Sequence, residues 1–250
     1  MQEFRGYPVL VRRVTVRGRA FELVGPANYE ALVDDPRVIQ RFEQDEFLPY
    51  WAEFWPACAL LADLVAAWPV AERSLAPCVL EIGCGLGLAS LVAASRGYRA
   101  IASDYDADAL AFVSESARRS AVGGLETRWI DWRKTYPELR ADRIIAAEVL
   151  YEPRNLEPVA RFVHAHLTPG GQGFLVDGNR QTADVFPGLA ESHGLVVETQ
   201  PVSLPSREIV FGGPGAPGLS GGAPMKGPLN RQKGGAHAVS GRVFIVRRRT

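Results

Sequence analysis

The stretch Val79-Leu80-Glu81-Ile82-Gly83-Cys84-Gly85-Leu86-Gly87 reads as a buried strand that runs straight into a glycine loop. Behind it, Leu86–Arg96 has the small-residue composition of a helix. Each glycine has a distinct physical use. Gly83 permits a tight turn, Gly85 lets a ligand approach the backbone, and Gly87 allows close helix–strand packing. A dinucleotide fingerprint would carry a third glycine at position 88, where this chain has Leu88, so the spacing is G-x-G-x-G. Glu81 sets a carboxylate beside the loop, an environment that favours a cationic ligand over a pyrophosphate.

Strands and helices alternate from this point onward. Arg99–Ser103, Leu125–Ile130, Asp142–Leu150 and Gly173–Val176 read as further strands. Ala107–Arg119, Asn155–Leu167 and Thr182–His193 read as the intervening helices, and Leu195–Val202 and Arg242–Arg247 as two late strands. That alternation predicts an α/β fold, Rossmann-like and doubly wound, with a mostly parallel seven-stranded sheet and helices on both faces. Upstream, Ala57–Trp68 is a helix opened by Pro56. Val9–Val16 and Ala20–Val24 form a hairpin about Arg17-Gly18-Arg19, and 35–46 is polar and helical. The expected organisation is a small extension over 1–47 packed on a main domain over 48–250. A Gly/Pro-rich insert at about 205–241, containing GGPGAPGLSGGAPMKGPLNRQKGGA, reads as a flexible loop.

Composition narrows the possibilities. The chain has 250 residues and equal numbers of basic and acidic side chains, 28 of each, which argues against electrostatic capture of nucleic acid or an anionic membrane. Cys58, Cys78 and Cys84 form no C-x-x-C pair, so free thiols in a reducing cytoplasm are expected, with neither a disulfide framework nor a metal site. No signal-peptide core and no membrane-spanning apolar run is present. His164 and His166, two apart on one helix, point to different faces and read as helix surface; Asp34-Asp35 reads as solvated loop.

Four acids end successive strands: Glu81, Asp104, Asp131 and Glu148. In open α/β sheets ligands sit at the carboxyl ends of the strands, so these side chains are expected to converge on one crevice. Asp104, 17 residues after Gly87, can accept both hydroxyls of a ribose, while Asp106 is free to cap the next helix. Asp131-Trp132 offers a carboxylate for an adenine amine and an indole for its ring.

Glu81–Gly87, Asp104 and Asp131 together resemble the class I S-adenosylmethionine-dependent methyltransferases, over roughly residues 48–200 and the final strand. Their seven-stranded sheet has an antiparallel last strand, for which Arg242–Arg247 is the candidate. A narrower resemblance follows from Pro49-Tyr50-Trp51-Ala52-Glu53-Phe54-Trp55-Pro56, Asp131-Trp132, the acid three before an aromatic at Glu148/Tyr151, and Asp177-Gly178-Asn179-Arg180. These look like the seven-β-strand protein-lysine methyltransferases with a D/E-x-x-Y/F motif, in the branch that acts on the electron-transfer flavoprotein β subunit.

The resemblance implies S-adenosylmethionine as cofactor and S-adenosylhomocysteine as product. It places Trp55, Glu81, Gly83, Cys84, Gly85, Gly87, Asp104, Tyr105, Asp131, Trp132 and Ala147 around the cofactor. Glu148 and Tyr151 would face the acceptor amine, with Tyr50 and Trp51 walling the channel; for the 50–55 run, a staple onto the sheet is the other reading. The expected enzyme is a monomeric, cytoplasmic methyltransferase of a protein lysine, with no nucleic-acid or membrane partner. A small-molecule N- or O-methyltransferase is the alternative. An amino-methylating nucleic-acid enzyme would carry (N/D)-P-P-(Y/F) where this chain has Glu148-Val149-Leu150-Tyr151. A nicotinamide oxidoreductase is disfavoured by Leu88, and a non-catalytic binding module remains a further reading.

Overall fold

The computed structural model describes residues 2–46, 48–72, 76–204, 209–212 and 238–249. Its first element pair is the N-terminal hairpin, β2 (Tyr7–Val16) with β3 (Arg19–Pro26), in antiparallel register from Val9↔Pro26 to Val16↔Arg19. Arg17 and Gly18 turn the chain, both at positive φ. The two-residue strand β1 (Glu3–Phe4) and β10 (Ile209–Gly212) line the other edge of β2. The hairpin is therefore part of a four-stranded sheet. Most of the 205–241 insert lies outside the described residues, but 209–212 is a strand rather than free loop.

Two helices follow, α1 (Tyr29–Val33) and α2 (Pro36–Asp45). Asp35, expected in a solvated loop, caps α2 by accepting from the backbone N–H of Arg37 at 2.8 Å. A 3₁₀ turn at Tyr50–Ala52 leads into α3 (Pro56–Ala66), which has Pro56 in its first turn.

The main sheet has the order β6-β5-β4-β7-β8-β11-β9. The five parallel strands are β4 (Cys78–Ile82), β5 (Arg99–Asp104), β6 (Leu125–Trp129), β7 (Ala141–Ala147) and β8 (Leu167–Asp177). β11 (Val239–Arg248) inserts antiparallel between β8 and β9 (Leu195–Leu204). The connecting helices are α4 (Leu88–Ser95), α5 (Ala107–Arg119), α6 (Pro153–His166) and α7 (Phe186–Ser192). The chain thus runs outward from β4 through β5 to β6, then returns to β4's other side with β7. In open α/β sheets such a reversal is where a ligand crevice forms, here at the carboxyl ends of β4 and β7.

Two apolar layers cover the sheet. One packs α3 and α4 (Leu61, Val65, Leu91) on Val79 and Ile145. The other packs α6 and α7 (Leu156, Val159, Val163, Phe186) on Leu80, Ile82 and Ile144. The near-continuous apolar reading of β4 and β7 follows from burial on both faces. The N-terminal sheet is tied down by Ser116 of α5 and by Ser120 just after it, whose hydroxyls accept from the N–H groups of Val24 and Glu22 at 2.9 and 2.8 Å.

Two sequence expectations need correction. Asp142–Leu150 was expected to be strand throughout, but β7 stops at Ala147, because Glu148 turns into the left-handed region at φ 57°. His166 is 0 % exposed, not surface. Its ring stacks on Phe162 at 4.0 Å, Nε2 accepts from the N–H of Tyr136 at 3.0 Å, and Nδ1 lies 2.8 Å from the Phe162 carbonyl. Those two contacts satisfy a neutral imidazole, which is why it can be buried.

Gly87 gives a direct test of this packing. A Cβ there would lie 2.6 Å from Val113 Cγ2, and its φ is +73°. Gly87→Ala is expected to cost about 1–3 kcal/mol in urea unfolding. Gly123→Ala, with nothing within 4 Å, should stay within about 0.5 kcal/mol. Equal midpoints for the two variants would contradict the close packing of α4 on α5.

Candidate active site

The loop between β4 and α4 carries three left-handed glycines: Gly83 at φ 60°, Gly85 at 52° and Gly87 at 73°. A Cβ on Gly83 would meet the Trp132 ring at 3.0 Å and Val149 at 3.1 Å; one on Gly85 would meet the Trp51 carbonyl oxygen at 3.2 Å. The loop is therefore hemmed in by Trp132 on one side and by the backbone of the 50–55 segment on the other.

Two buried carboxylates set its shape. Asp104, ending β5, accepts from Gly85 N–H at 2.9 Å with Oδ2 and from Asp106 N–H at 2.9 Å with Oδ1. Asp106 in turn caps α5 by accepting from Asp108 N–H. Glu81 is turned beneath the loop: its Oε2 accepts from the N–H and hydroxyl of Ser90, at 2.8 and 2.5 Å. The sequence suggested a carboxylate facing a ligand, but at 3 % exposure Glu81 is a structural acceptor at the start of α4. Burial pushes its carboxyl up to about 7, against the Ser90 bonds; burial likewise pushes Asp104 up to about 6. Cys84 lies between them, its thiol held well above the usual range by burial and by both acids.

Asp131 is also engaged. Burial pushes its carboxyl up, but the fork of Arg133 outweighs that and holds it below the usual range. Arg133 Nε reaches Oδ1 at 2.8 Å and Nη2 reaches Oδ2 at 3.1 Å. The same guanidinium covers the Tyr105 ring at 5.1 Å, and Trp129, 42 % exposed, packs on Tyr105 at 5.5 Å. Tyr105, Asp131 and Trp132 thus form one edge of the crevice, with Asp131's charge already matched. Asp131 is positioned in turn by its N–H bond to the Tyr136 hydroxyl, and Tyr136 is the residue that His166 holds.

On the β7 side, Ala147 is buried and pairs with Val176, and Glu148 follows at its unusual φ. Tyr50 packs edge-on to Tyr151 at 5.5 Å and to Trp55 at 6.0 Å, and Trp55 Nε1 donates to the Tyr50 carbonyl at 2.9 Å. Trp51 does not join them. It is 7 % exposed and packs on Phe112 and Tyr7, so the staple reading holds for its side chain. Burial pushes the Tyr151 hydroxyl up to about 12, so it stays protonated.

Sequence reasoning missed the partner of Glu148. Arg180 Nε sits 2.5 Å from Glu148 Oε2, and its guanidinium lies over the Trp55 ring at 5.8 Å. Burial raises the Glu148 carboxyl, with Arg180 opposing. The loop carrying Arg180 is itself fixed: Arg180 N–H donates to Asp177 Oδ2 at 2.8 Å, and Arg242 bridges Asp177 and the Arg180 carbonyl. A Cβ on Gly178 would lie 2.7 Å from Glu148 Oε1. The signal in the sequence was Asp177-Gly178-Asn179-Arg180 itself, whose glycine lies against the Glu148 carboxylate.

Three comparisons bear on this arrangement. A family model described as a methyltransferase domain matches residues 79–171, from β4 into β8. No curated protein matches the sequence. Among solved structures, a TehB-like S-adenosylmethionine-dependent methyltransferase from Corynebacterium glutamicum is 14% identical with TM-score 0.50, over 89% of this chain and 100% of that one. A mitomycin 7-O-methyltransferase is 18% identical with TM-score 0.51, over 89% and 61%. A protein described as a putative RNA methyltransferase from Pyrococcus horikoshii is 14% identical with TM-score 0.52, over 78% and 84%. At these identities the likeness concerns the fold. The fold is that of the class I S-adenosylmethionine-dependent methyltransferases. The methyltransferase domain makes S-adenosylmethionine the cofactor, and the chain is an S-adenosylmethionine-dependent methyltransferase. The residues fit that group: a glycine loop turns at the carboxyl end of β4, and a buried acid at the end of β5 can accept from a ribose.

The raised acids fix a sign for stability against pH. Glu81 titrates at about 7 in the fold and at roughly 4.3 when unfolded. Its contribution is fully present below the unfolded value and is lost as pH rises through the folded one. Glu81→Gln keeps an acceptor for Ser90 and removes the titration. Urea midpoints measured from pH 4 to 8 should fall with pH in the parent chain and fall less steeply in the variant. Parallel curves would mean that Glu81 is not the buried acid described.

Proposed function

We propose that this chain transfers the methyl group of S-adenosylmethionine to the side-chain amine of a protein lysine. The observation that carries the reading is the cation seat at the end of β7. Glu148 is held against a guanidinium over an aromatic ring, and Tyr50 and Tyr151 stand beside it. A site that holds Arg180 between a carboxylate and an indole face has the complementarity that an ammonium needs. The surroundings add acid: Glu152 and Glu46 face the rim, sharing Arg154 between them.

S-adenosylmethionine, when bound, supplies a methyl group on a sulfonium, which leaves as a neutral thioether without help from an acid. The glycine loop and Asp104 would hold the nucleoside of that group. Tyr50, Trp55 and Tyr151 exclude water around the acceptor nitrogen, and such desolvation lowers an amine pKa from about 10.4. Arg180 acts in the same direction, because a second cation nearby disfavours protonated amine. Glu148 would orient the acceptor amine. Glu148 or water would take the proton that the amine gives up.

A second reading has its own observation. Arg180 already occupies Glu148, so a small molecule bearing a carboxylate could pair with Arg180 and present an amine or hydroxyl instead.

Cell extract incubated with radiolabelled S-adenosylmethionine and this protein separates the two. A labelled protein band is expected, and Glu148→Ala should weaken it by roughly 10²-fold. Label confined to low-mass products would refute the lysine acceptor.

A further inference from the structure

Arg12 lies on β2, the central strand of the N-terminal sheet. Its Nη1 is buried and has no hydrogen-bond partner. That atom is 3.3 Å from where a Cβ on Gly25 would stand, and the same point is 3.3 Å from Leu86 Cδ2. Gly25 thus makes room for the guanidinium, and Leu86 belongs to the glycine loop. An orphaned guanidinium N–H beside the cofactor loop is a costly arrangement unless a ligand completes it.

Glu53 supplies the opposite charge. It directly follows the 3₁₀ turn at Tyr50–Ala52, two residues beyond Trp51, whose carbonyl abuts Gly85, and two before Trp55 in the acceptor site. Glu53 is the charge that acts on Arg12, and Arg12 the charge that acts on Glu53. Burial nonetheless lowers the arginine and raises the carboxyl. Among the described residues no ion pair joins the two. They are near enough to feel each other, partly desolvated, and not in contact.

A zwitterion carries the charges complementary to that pair. We propose that Arg12 and Glu53 form a two-point clamp on the amino-acid end of S-adenosylmethionine, Arg12 holding its α-carboxylate and Glu53 its α-ammonium. The clamp rests on the cofactor assignment and not on the identity of the acceptor. Its place suits the ligand: the nucleoside end belongs at Asp104, the reacting sulfur at Glu148, and Glu53 lies on the strap of chain that spans the two. The N-terminal sheet then contributes directly to cofactor binding instead of only covering the domain.

Calorimetry with three nucleosides tests this. S-adenosylhomocysteine carries both charged groups, decarboxylated S-adenosylmethionine keeps only the ammonium of the amino-acid end, and 5′-methylthioadenosine carries neither. Arg12→Gln should weaken S-adenosylhomocysteine by roughly tenfold or more and leave the other two unchanged. Glu53→Gln should weaken the first two and spare 5′-methylthioadenosine. Unchanged binding of 5′-methylthioadenosine also shows that each variant keeps its fold. S-adenosylhomocysteine bound equally well by parent and variants, or all three nucleosides weakened alike, would overturn the clamp. A parent chain that binds none of the three would overturn the cofactor assignment as well.

Discussion

Two buried carboxylates hold the turn from β4 to α4, and the site is built around them. A carboxylate removed from water is costly unless donors replace its hydration. Here the donors come from the loop and the helix starts: Gly85 and Asp106 to Asp104, Ser90 to Glu81. The arrangement works in both directions. The acids are tolerated because the glycine loop offers its N–H groups, and the loop keeps its left-handed glycines because the acids hold it. Each side fixes the other, so the cofactor meets a shaped surface rather than a flexible turn.

The end of β7 follows the same logic. Strand order brings Glu148 next to the glycine loop. Left-handed backbone at both Glu148 and Asn179 turns the two loops toward each other. A Cβ on Gly178 would stand 2.7 Å from Glu148 Oε1, so the two loops meet closely here. Arg180, Asp177 and Arg242 alternate in charge behind Glu148, so a carboxylate pushed up by burial is steadied by fixed cations. Non-glycine residues held at positive φ carry strain that the surroundings must over-determine, and such positions concentrate at functional sites.

Much of this was legible beforehand, because periodicity and glycine spacing are local properties. Cys78–Ile82 with Gly83, Gly85 and Gly87 gave the strand, the loop and the cofactor class. Arg242–Arg247 fell within β11, the antiparallel strand. What escaped was decided by partners distant in sequence. Nothing local says that Glu81 turns toward Ser90, that Asp131 is taken by Arg133, or that Arg180 reaches Glu148. The Ile209–Gly212 strand was hidden because β2, nearly 200 residues upstream, is what pairs with it. His166 is the exception, since its spacing from Val159 and Val163 places it on the buried stripe of α6. The two-residue spacing of His164 and His166 puts them on different faces, which leaves room for one of them to be buried.

The central claim is that the rim formed by the glycine loop, Asp104 and Glu148 is one continuous cofactor and acceptor site. A crystal structure of the chain with S-adenosylhomocysteine examines it most directly. The expected result is ribose hydroxyls within hydrogen-bonding distance of the Asp104 carboxylate, with the thioether sulfur facing Glu148. A nucleoside seated anywhere other than against residues 83–87 and Asp104 would contradict it.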